Sequence, residues 1–188
     1  MRPSTLHKLI RDSVHRVVSK RCERGFRFVL ESGSTEGFLR DLLAIEMQTH
    51  GYVLSREFRK GHQIVDLVLH QHNRIYIEAK QLRLKDHARY AKNLVNDLNR
   101  HPRRHCLGIV YLLDARKSTF KMKVQLARGA DRKATCEVSE FISELGEFFP
   151  RIYPTNKKQA LVRRFSGSGR LDLYAFVVER GKQGIGRR

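Results

Sequence analysis

Two carboxylates and a lysine lie within the segment IVDLVLHQHNRIYIEAKQ, residues 64–81. Asp66 interrupts an otherwise apolar run, and twelve positions later comes Glu78, followed after Ala79 by Lys80. A carboxylate among apolar neighbours costs free energy unless a partner compensates its charge. Acidic residues placed in this way are typical of a divalent-cation site, and a nearby lysine can act on a bound water. The segment is therefore the first candidate for chemistry in the chain.

A β-hairpin is the element that would bring these side chains together. Both halves of the segment alternate as strands do, with Asp66 on one face of the first strand and Glu78 and Lys80 on one face of the second. A three-residue loop at Gln71–Asn73 sets residue 66 opposite residue 78, within about 5.5 Å at Cβ. Because like charges at that separation repel, we expect a cation between them, and ligation by oxygen alone suits Mg²⁺ or Mn²⁺. The Lys80 ammonium would orient a water, help to deprotonate it, or offset charge in a transition state.

These residues resemble the signature of the PD-(D/E)XK nuclease superfamily, which includes many restriction endonucleases. The signature is an Asp on one strand and Glu-x-Lys on the next, here Asp66 and Glu78-Ala79-Lys80. The resemblance extends to Glu36, near the start of a preceding predicted helix, and to the pair Gly51-Tyr52 before the first strand. It covers roughly residues 34–115, which would form the core motif region.

The resemblance implies hydrolysis of phosphodiester bonds in DNA with one or two Mg²⁺ ions, and a restriction endonuclease-like core. By that resemblance, Asp66, Glu78 and the backbone carbonyl of Ala79 would hold metal. Lys80 would position the attacking water, and Glu36 would hold a second metal or an outer water. Many members of the superfamily have a proline or glycine just before the Asp, where this chain has Gln63-Ile64-Val65.

The elements around the hairpin predict a mixed α/β fold, with a mixed central β-sheet flanked by helices and an N-terminal amphipathic helix. That helix is predicted over residues 4–23, and a second, from about Thr35 to Thr49, carries Glu36 in its first turn. The run 106–113 is too apolar for a strand at a sheet edge. The strands are predicted at about 52–58, 63–70, 74–80, Cys106–Leu113, Phe120–Leu126 and Leu171–Val178, with a short extended piece at Phe26–Leu30. The later helices are predicted at about Lys85–Arg100 and Val138–Phe149.

Charge indicates the class of partner. The 188 residues include 38 Lys and Arg against 19 Asp and Glu, for a formal net charge of +19. A polyanion relieves the self-repulsion of such a charge, so nucleic acid is the favoured partner, with DNA ahead of RNA. Lys85, Arg89 and Lys92 share one helical face and, with Lys60, are predicted to contact nucleic acid, although a solvated helix face fits them equally well.

Length and cysteine content predict one domain in a reducing compartment. We assign residues 1–180 to a single nuclease domain and residues 181–188 to a basic disordered tail. The three cysteines are widely spaced and odd in number, which favours reduced thiols and a cytoplasmic location. No apolar run approaches the length of a membrane span, and the N-terminus lacks the apolar core of a secretory signal. A homodimer would explain cutting of both DNA strands, but no interface is visible in the sequence.

Two other functions would use the same basic surface. One is a nucleic-acid-binding module without catalysis, and the other is a basic structural protein of a ribonucleoprotein, with RNA as its partner. Asp66 and Glu78 would then form an ordinary solvated hairpin face with Lys80 as an ion-pair partner, and Glu36 would be favoured by the helix dipole alone. The hypotheses separate on geometry, since a site requires the two carboxylates to converge with the Lys80 amine near them.

Overall fold

Helices and strands follow one another along the chain as expected for a mixed α/β protein. The computed structural model describes residues 1–20, 23–31, 35–60, 63–70, 73–83, 87–100, 105–116, 138–149, 151–153, 160–166 and 170–179. The helices within these ranges are α1 (Pro3–Lys20), α2 (Glu23–Glu31), α3 (Thr35–Thr49), α4 (His87–Asn99) and α5 (Val138–Phe148). The strands are β1 (Leu54–Lys60), β2 (Gln63–Leu69), β3 (Ile75–Arg83), β4 (His105–Arg116), β5 (Arg151–Tyr153), β6 (Leu161–Phe165) and β7 (Arg170–Glu179).

The described strands form one mixed sheet in the order β1-β2-β3-β4-β7-β5, with β6 also paired to β7. Strands β3 and β4 are parallel and are connected through α4, whereas the other pairings are antiparallel. Residues 106–113 of β4 are all buried, and β4 lies between β3 and β7, so the prediction of an interior strand is confirmed. The mixed sheet flanked by helices is confirmed as well.

Strand alternation divides the core into two layers, one on each face of the sheet. Helices α1, α2 and α3 pack with the side of β3 that carries Ile75, Ile77 and Ala79. Helices α4 and α5 pack on the opposite side, where Tyr76 lies. Glu78 follows Tyr76 by two positions and therefore lies on the α4 side of the sheet. None of the described helices is long and apolar enough to cross a lipid bilayer.

Gly108 allows α4 to lie close to the sheet. It is paired with Glu78 across β3 and β4. A Cβ atom at this position would lie 2.6 Å from a methyl of Val178, 3.1 Å from one of Leu94 and 3.3 Å from one of Leu98. Since Leu94 and Leu98 are buried residues of α4, the missing side chain sets how near this helix comes to β3 and β4.

One predicted element is wrong, and several predictions lie outside the described residues. Phe26–Leu30 is helical within α2 and not extended, because Phe26 and Leu30 are both buried at helical spacing and Arg27 pairs with Glu31 at 2.8 Å. The short strands β5 and β6 were not predicted. The strand predicted at 120–126 and the tail at 181–188 are not among the described residues.

Candidate active site

Strands β2 and β3 bring the first two predicted residues together. The hairpin pairs Leu67 with Ile77 and Val68 with Tyr76, and continuing this register sets Asp66 opposite Glu78, which confirms the predicted register. Backbone pairing between β2 and β3 extends as far as Leu67 and Ile77, and beyond it the N–H of Ala79 on β3 donates to Asp66 Oδ2 at 2.8 Å. The Asp66 side chain thus replaces a backbone partner at the point where the two strands separate.

Strand β1 is irregular directly beside this point. Its pairing with β2 joins Arg56 to Leu67 and Phe58 to Val65, and skips the position between them. That position is Glu57, whose φ of +46° lies in the left-handed region that residues other than glycine rarely adopt. Residues other than glycine that are held in this region cluster at active sites and ligand-binding sites. Here the Glu57 carboxylate contacts the Arg40 guanidinium at 3.0 Å.

Glu78 is a buried carboxyl in contact with a second acid. It is only 5% exposed. Burial and then the charges of Asp66 and Asp97 raise the pKa of Glu78 to about 8, although Lys80 acts in the opposite direction. A hydrogen bond between the two carboxyls favours the protonated form of Glu78 as well. Without a cation, Glu78 is therefore protonated at neutral pH and hydrogen-bonds to Asp66, so the two carboxyls share that proton in one hydrogen bond.

Lys80 lies between two carboxylates from different helices. Its Nζ is 3.8 Å from Glu36 Oε1 on α3 and 3.3 Å from Asp97 Oδ2 on α4. Burial lowers the pKa of Lys80, but the charges of Glu36, Asp97 and Asp66 outweigh it, so the pKa is raised overall. The amine consequently stays protonated near neutral pH and acts as a fixed positive charge.

Glu36 connects the start of α3 to the far end of the hairpin. Its Oε1 approaches Lys80, and its Oε2 accepts the backbone N–H of Gln81 at 2.8 Å. The side chain remains 40% exposed, so the carboxylate faces solvent as well as Lys80. The structure thus brings all four predicted side chains, Asp66, Glu78, Lys80 and Glu36, into one cluster.

Two residues of the cluster were missed at the level of sequence. Arg40 lies one helical turn after Glu36, and its Nη1 is 3.2 Å from Asp66 Oδ1. Asp97 lies beside the buried Leu98 on α4 and contacts Lys80. The i, i+4 spacing of Arg40 from Glu36 was an available signal for the first. An acid next to the buried face of a helix was the signal for the second.

The oxygen donors of the cluster suit a divalent cation such as Mg²⁺. No set of three or more His, Cys, Asp or Glu side chains in the described part of the chain is arranged as a ready-made metal site. The donors present are two touching carboxylates, one of them buried, and such a pair requires positive compensation. Arg40 and the shared proton supply that compensation here. Oxygen-only donors with few protein ligands fit Mg²⁺, which keeps several of its waters.

The structure describes only some of the residues that are predicted to contact nucleic acid. Lys92 is exposed on α4, and Arg89 belongs to the same helix. Lys60 is the last residue of β1, and Lys85 lies outside the described residues. His70 contacts Ser55 Oγ through Nε2 at 2.7 Å and so links the end of β2 to β1.

No protein-family model, no curated protein and no solved structure matches this chain.

Proposed function

We propose that this protein is a Mg²⁺-dependent nuclease of the PD-(D/E)XK type, with a restriction endonuclease-like core, that cuts within DNA by hydrolysing phosphodiester bonds. The observation that carries the proposal is the meeting of Asp66, Glu78, Lys80 and Glu36 where β2 and β3 separate. An ordinary solvated hairpin face would not bury Glu78 or hold Lys80 between acids from two helices.

Asp66, Glu78 and the backbone carbonyl of Ala79 are the groups that would hold the metal. Asp66 Oδ2 accepts the Ala79 N–H, and Oδ1 accepts a hydrogen bond from the Arg40 guanidinium. When bound, Mg²⁺ would lower the pKa of a bound water and offset negative charge on the scissile phosphate. Glu36, half-exposed and tied to the Gln81 amide, would hold an outer water or a second ion.

Lys80 would position the attacking water and stabilise charge as the phosphate reacts. Its pKa is raised, so the group acts as a cation and does not remove a proton itself. Glu36 and Asp97 fix the amine from two sides before substrate arrives. A charge held in place in this way stabilises a transition state without reorganisation.

Positive side chains around the cluster support a polyanionic substrate. Arg56 is about half exposed and contacts Asp41 at 2.7 Å, and Arg100 is likewise half exposed and contacts Asp97 at 3.0 Å. Surface ion pairs of this kind contribute little to stability, so a DNA phosphate can replace the carboxylate partner at small cost. With the net charge of +19, they favour DNA as the substrate of a protein expected in the cytoplasm.

The first test is cleavage of plasmid, linear, branched and single-stranded DNA with Mg²⁺ or Mn²⁺. We expect Asp66→Ala and Lys80→Ala each to lower the cleavage rate by about 100-fold or more while DNA binding is retained. Addition of EDTA should abolish cleavage. The matched control is Glu147→Ala, which removes an exposed carboxylate of α5 and should leave the rate unchanged. A wild-type protein that cuts neither DNA nor RNA with either metal would refute the proposal.

A second candidate function is DNA or RNA binding without catalysis. The observation that favours it is the internal compensation of the acids, by Arg40 and by the shared proton, with no ready-made metal site among the described residues. A binder of this kind would retain nucleic acid equally well with and without Mg²⁺. Asp66→Ala would then change neither binding nor cleavage.

A further inference from the structure

A second cleft lies between α1 and β6, away from the residues of the candidate active site. Its volume is about 340 Å³, and the residues that line it include His7, Lys8, Arg11, Asp12, His15 and Arg163. We call it the α1–β6 cleft. Its volume lies at the lower end of the range found for small-molecule sites, about 300–1,000 Å³.

The charge of the cleft favours an anion. Lys8 and Arg11 are exposed and lie three residues apart, on one side of α1, and Arg163 approaches from β6. Asp12 is the acid among the lining residues, and Glu23 lies 3.8 Å from the Arg163 guanidinium. The Nε of Arg163 is buried and has no hydrogen-bond partner among the described residues. Three cations, one with an unused donor, therefore meet in one cavity.

His7 requires a hydrogen-bond donor in the cleft, which an anion without a proton does not supply. The residue is 8% exposed, and its ring donates a hydrogen bond to the backbone of Ala175. The other ring nitrogen, Nε2, is buried and finds no partner in the described part of the chain. Burial and then the charge of Arg11 lower the pKa of His7 to about 4, so the ring is neutral and Nε2 can accept a hydrogen bond. An orphaned buried acceptor costs free energy until a donor reaches it.

We propose that the α1–β6 cleft binds a phosphate monoester. Negative oxygens of the ester would contact Lys8, Arg11 and the Nε of Arg163, while the P–OH of its monoanion would donate to Nε2 of His7. The second pKa of a phosphate monoester is about 6, so the monoanion is present near neutral pH, whereas a phosphodiester or a carboxylate has charge but no proton to donate there. Two sources of this group suit a protein with a net charge of +19, a free nucleotide and the 5′-phosphorylated end of a nucleic-acid strand.

Binding by the full-length chain, measured by calorimetry, tests the proposal. The probes are inorganic phosphate, a nucleoside 5′-monophosphate, the same nucleoside, and one oligonucleotide with either a 5′-phosphate or a 5′-hydroxyl. We expect the nucleotide to bind at least about tenfold more tightly than the nucleoside. Tighter binding of the 5′-phosphorylated strand than of the same strand with a 5′-hydroxyl would identify a strand end as the ligand, because backbone charge is equal in the two. Equal binding of the two strands would identify the free nucleotide as the ligand. Equal affinity for nucleotide and nucleoside would overturn the proposal.

Two lysines of the same helix provide a matched pair of variants. Lys8→Ala removes a lining cation and should weaken nucleotide binding by about fivefold or more. Lys20→Ala removes an exposed cation of α1 that does not line the cleft, and should leave binding unchanged. Equal losses in both variants would show diffuse attraction and would overturn the site.

The imidazole resonances of His7 report the contact without any mutation in the core. Added nucleotide should shift its Nε2 resonance in the wild-type protein, and no shift at saturation would contradict the proposal. The Asp66→Ala protein should bind the nucleotide as the wild type does. Neither measurement involves strand cleavage, so failure of this site and failure of the proposed hydrolysis are distinguishable.

Discussion

At the scale of single residues, the least expected contact in the candidate active site is that of Asp97. Its Oδ2 lies 3.3 Å from the Lys80 amine, and its Oδ1 lies 3.0 Å from the Arg100 guanidinium. The same charge raises the pKa of both Glu78 and Lys80. Asp97 therefore affects a proposed metal ligand and the proposed water-positioning group together, although it need not touch substrate.

We expect Asp97→Asn to lower the cleavage rate by about 10- to 100-fold, the usual effect of losing a group that orients a catalytic residue. The reason is that the amine of Lys80 loses one of its two carboxylate partners. The measurement is the single-turnover cleavage rate at saturating DNA, which separates the chemical step from binding.

The matched control for this variant is Asn96→Ala, because Asn96 is the exposed neighbour of Asp97 on α4. Asp97→Glu should recover part of the rate, since it restores the charge. An unchanged rate in Asp97→Asn, with an unchanged free energy of unfolding, would remove Asp97 from the site.

At the scale of elements, α4 supplies Asp97 only because it lies close to β4. Gly108 makes this approach possible, and it is paired with Glu78 across the parallel strands. A methyl group there would lie 2.6 Å from Val178 and 3.1 Å from Leu94, distances that ordinary packing does not allow. One glycine on a buried strand thereby sets the separation of two charged groups on neighbouring elements.

We expect Gly108→Ala to lower the free energy of unfolding by about 1–3 kcal/mol, because the added methyl overpacks the interface. The displaced helix should also carry Asp97 away from Lys80, so cleavage by the folded fraction should fall. Chemical denaturation measures the first effect and the cleavage assay the second.

Gly146→Ala is the control, since nothing lies within 4 Å of a Cβ built at this exposed position of α5. It should raise the free energy of unfolding by about 0.5–1 kcal/mol, as alanine does in a helix. A Gly108→Ala protein as stable as the wild type would show that α4 does not pack as described.

The elements also show where local patterns suffice for prediction. Helix α3 begins and ends at the predicted residues, Thr35 and Thr49, and the register of the β2–β3 hairpin is the predicted one. The bounds of α3 and the register of the hairpin both depend on the spacing of apolar and turn residues over a short stretch of chain. The sequence predicts an extended piece where α2 lies, because nine residues are too few to show a clear helical period of apolar side chains. Its buried contacts, Phe26 with Phe38 and with Phe165, come from other elements.

At the scale of the whole molecule, the dominant property is the net charge of +19. Such a charge weakens the compact state by self-repulsion and attracts polyanions over long range. If six or more phosphates are contacted, DNA affinity should fall by about 1,000-fold between 50 and 200 mM salt. A binding titration at several salt concentrations measures this dependence.

Lys92→Ala tests one of the predicted contacts with DNA, because Lys92 is exposed on α4. A direct phosphate contact should reduce the slope of log affinity against log salt by about 0.9 for duplex DNA. An unchanged slope would assign Lys92 to a solvated helix face, the alternative open from the sequence.

Local alternation is enough to show which residues share a strand face. Alternation along β2 and β3, and a short loop between them, place Asp66, Glu78 and Lys80 on one surface, because side-chain direction in a strand repeats every two residues. The groups that surround them, by contrast, depend on how distant elements pack. Arg40 and Glu36 reach the hairpin from 26 and 45 residues away, and Asp97 arrives through the packing of α4. The α1–β6 cleft likewise joins elements that are remote along the chain. Such contacts depend on how closely whole helices and strands approach one another, and no local period encodes that distance.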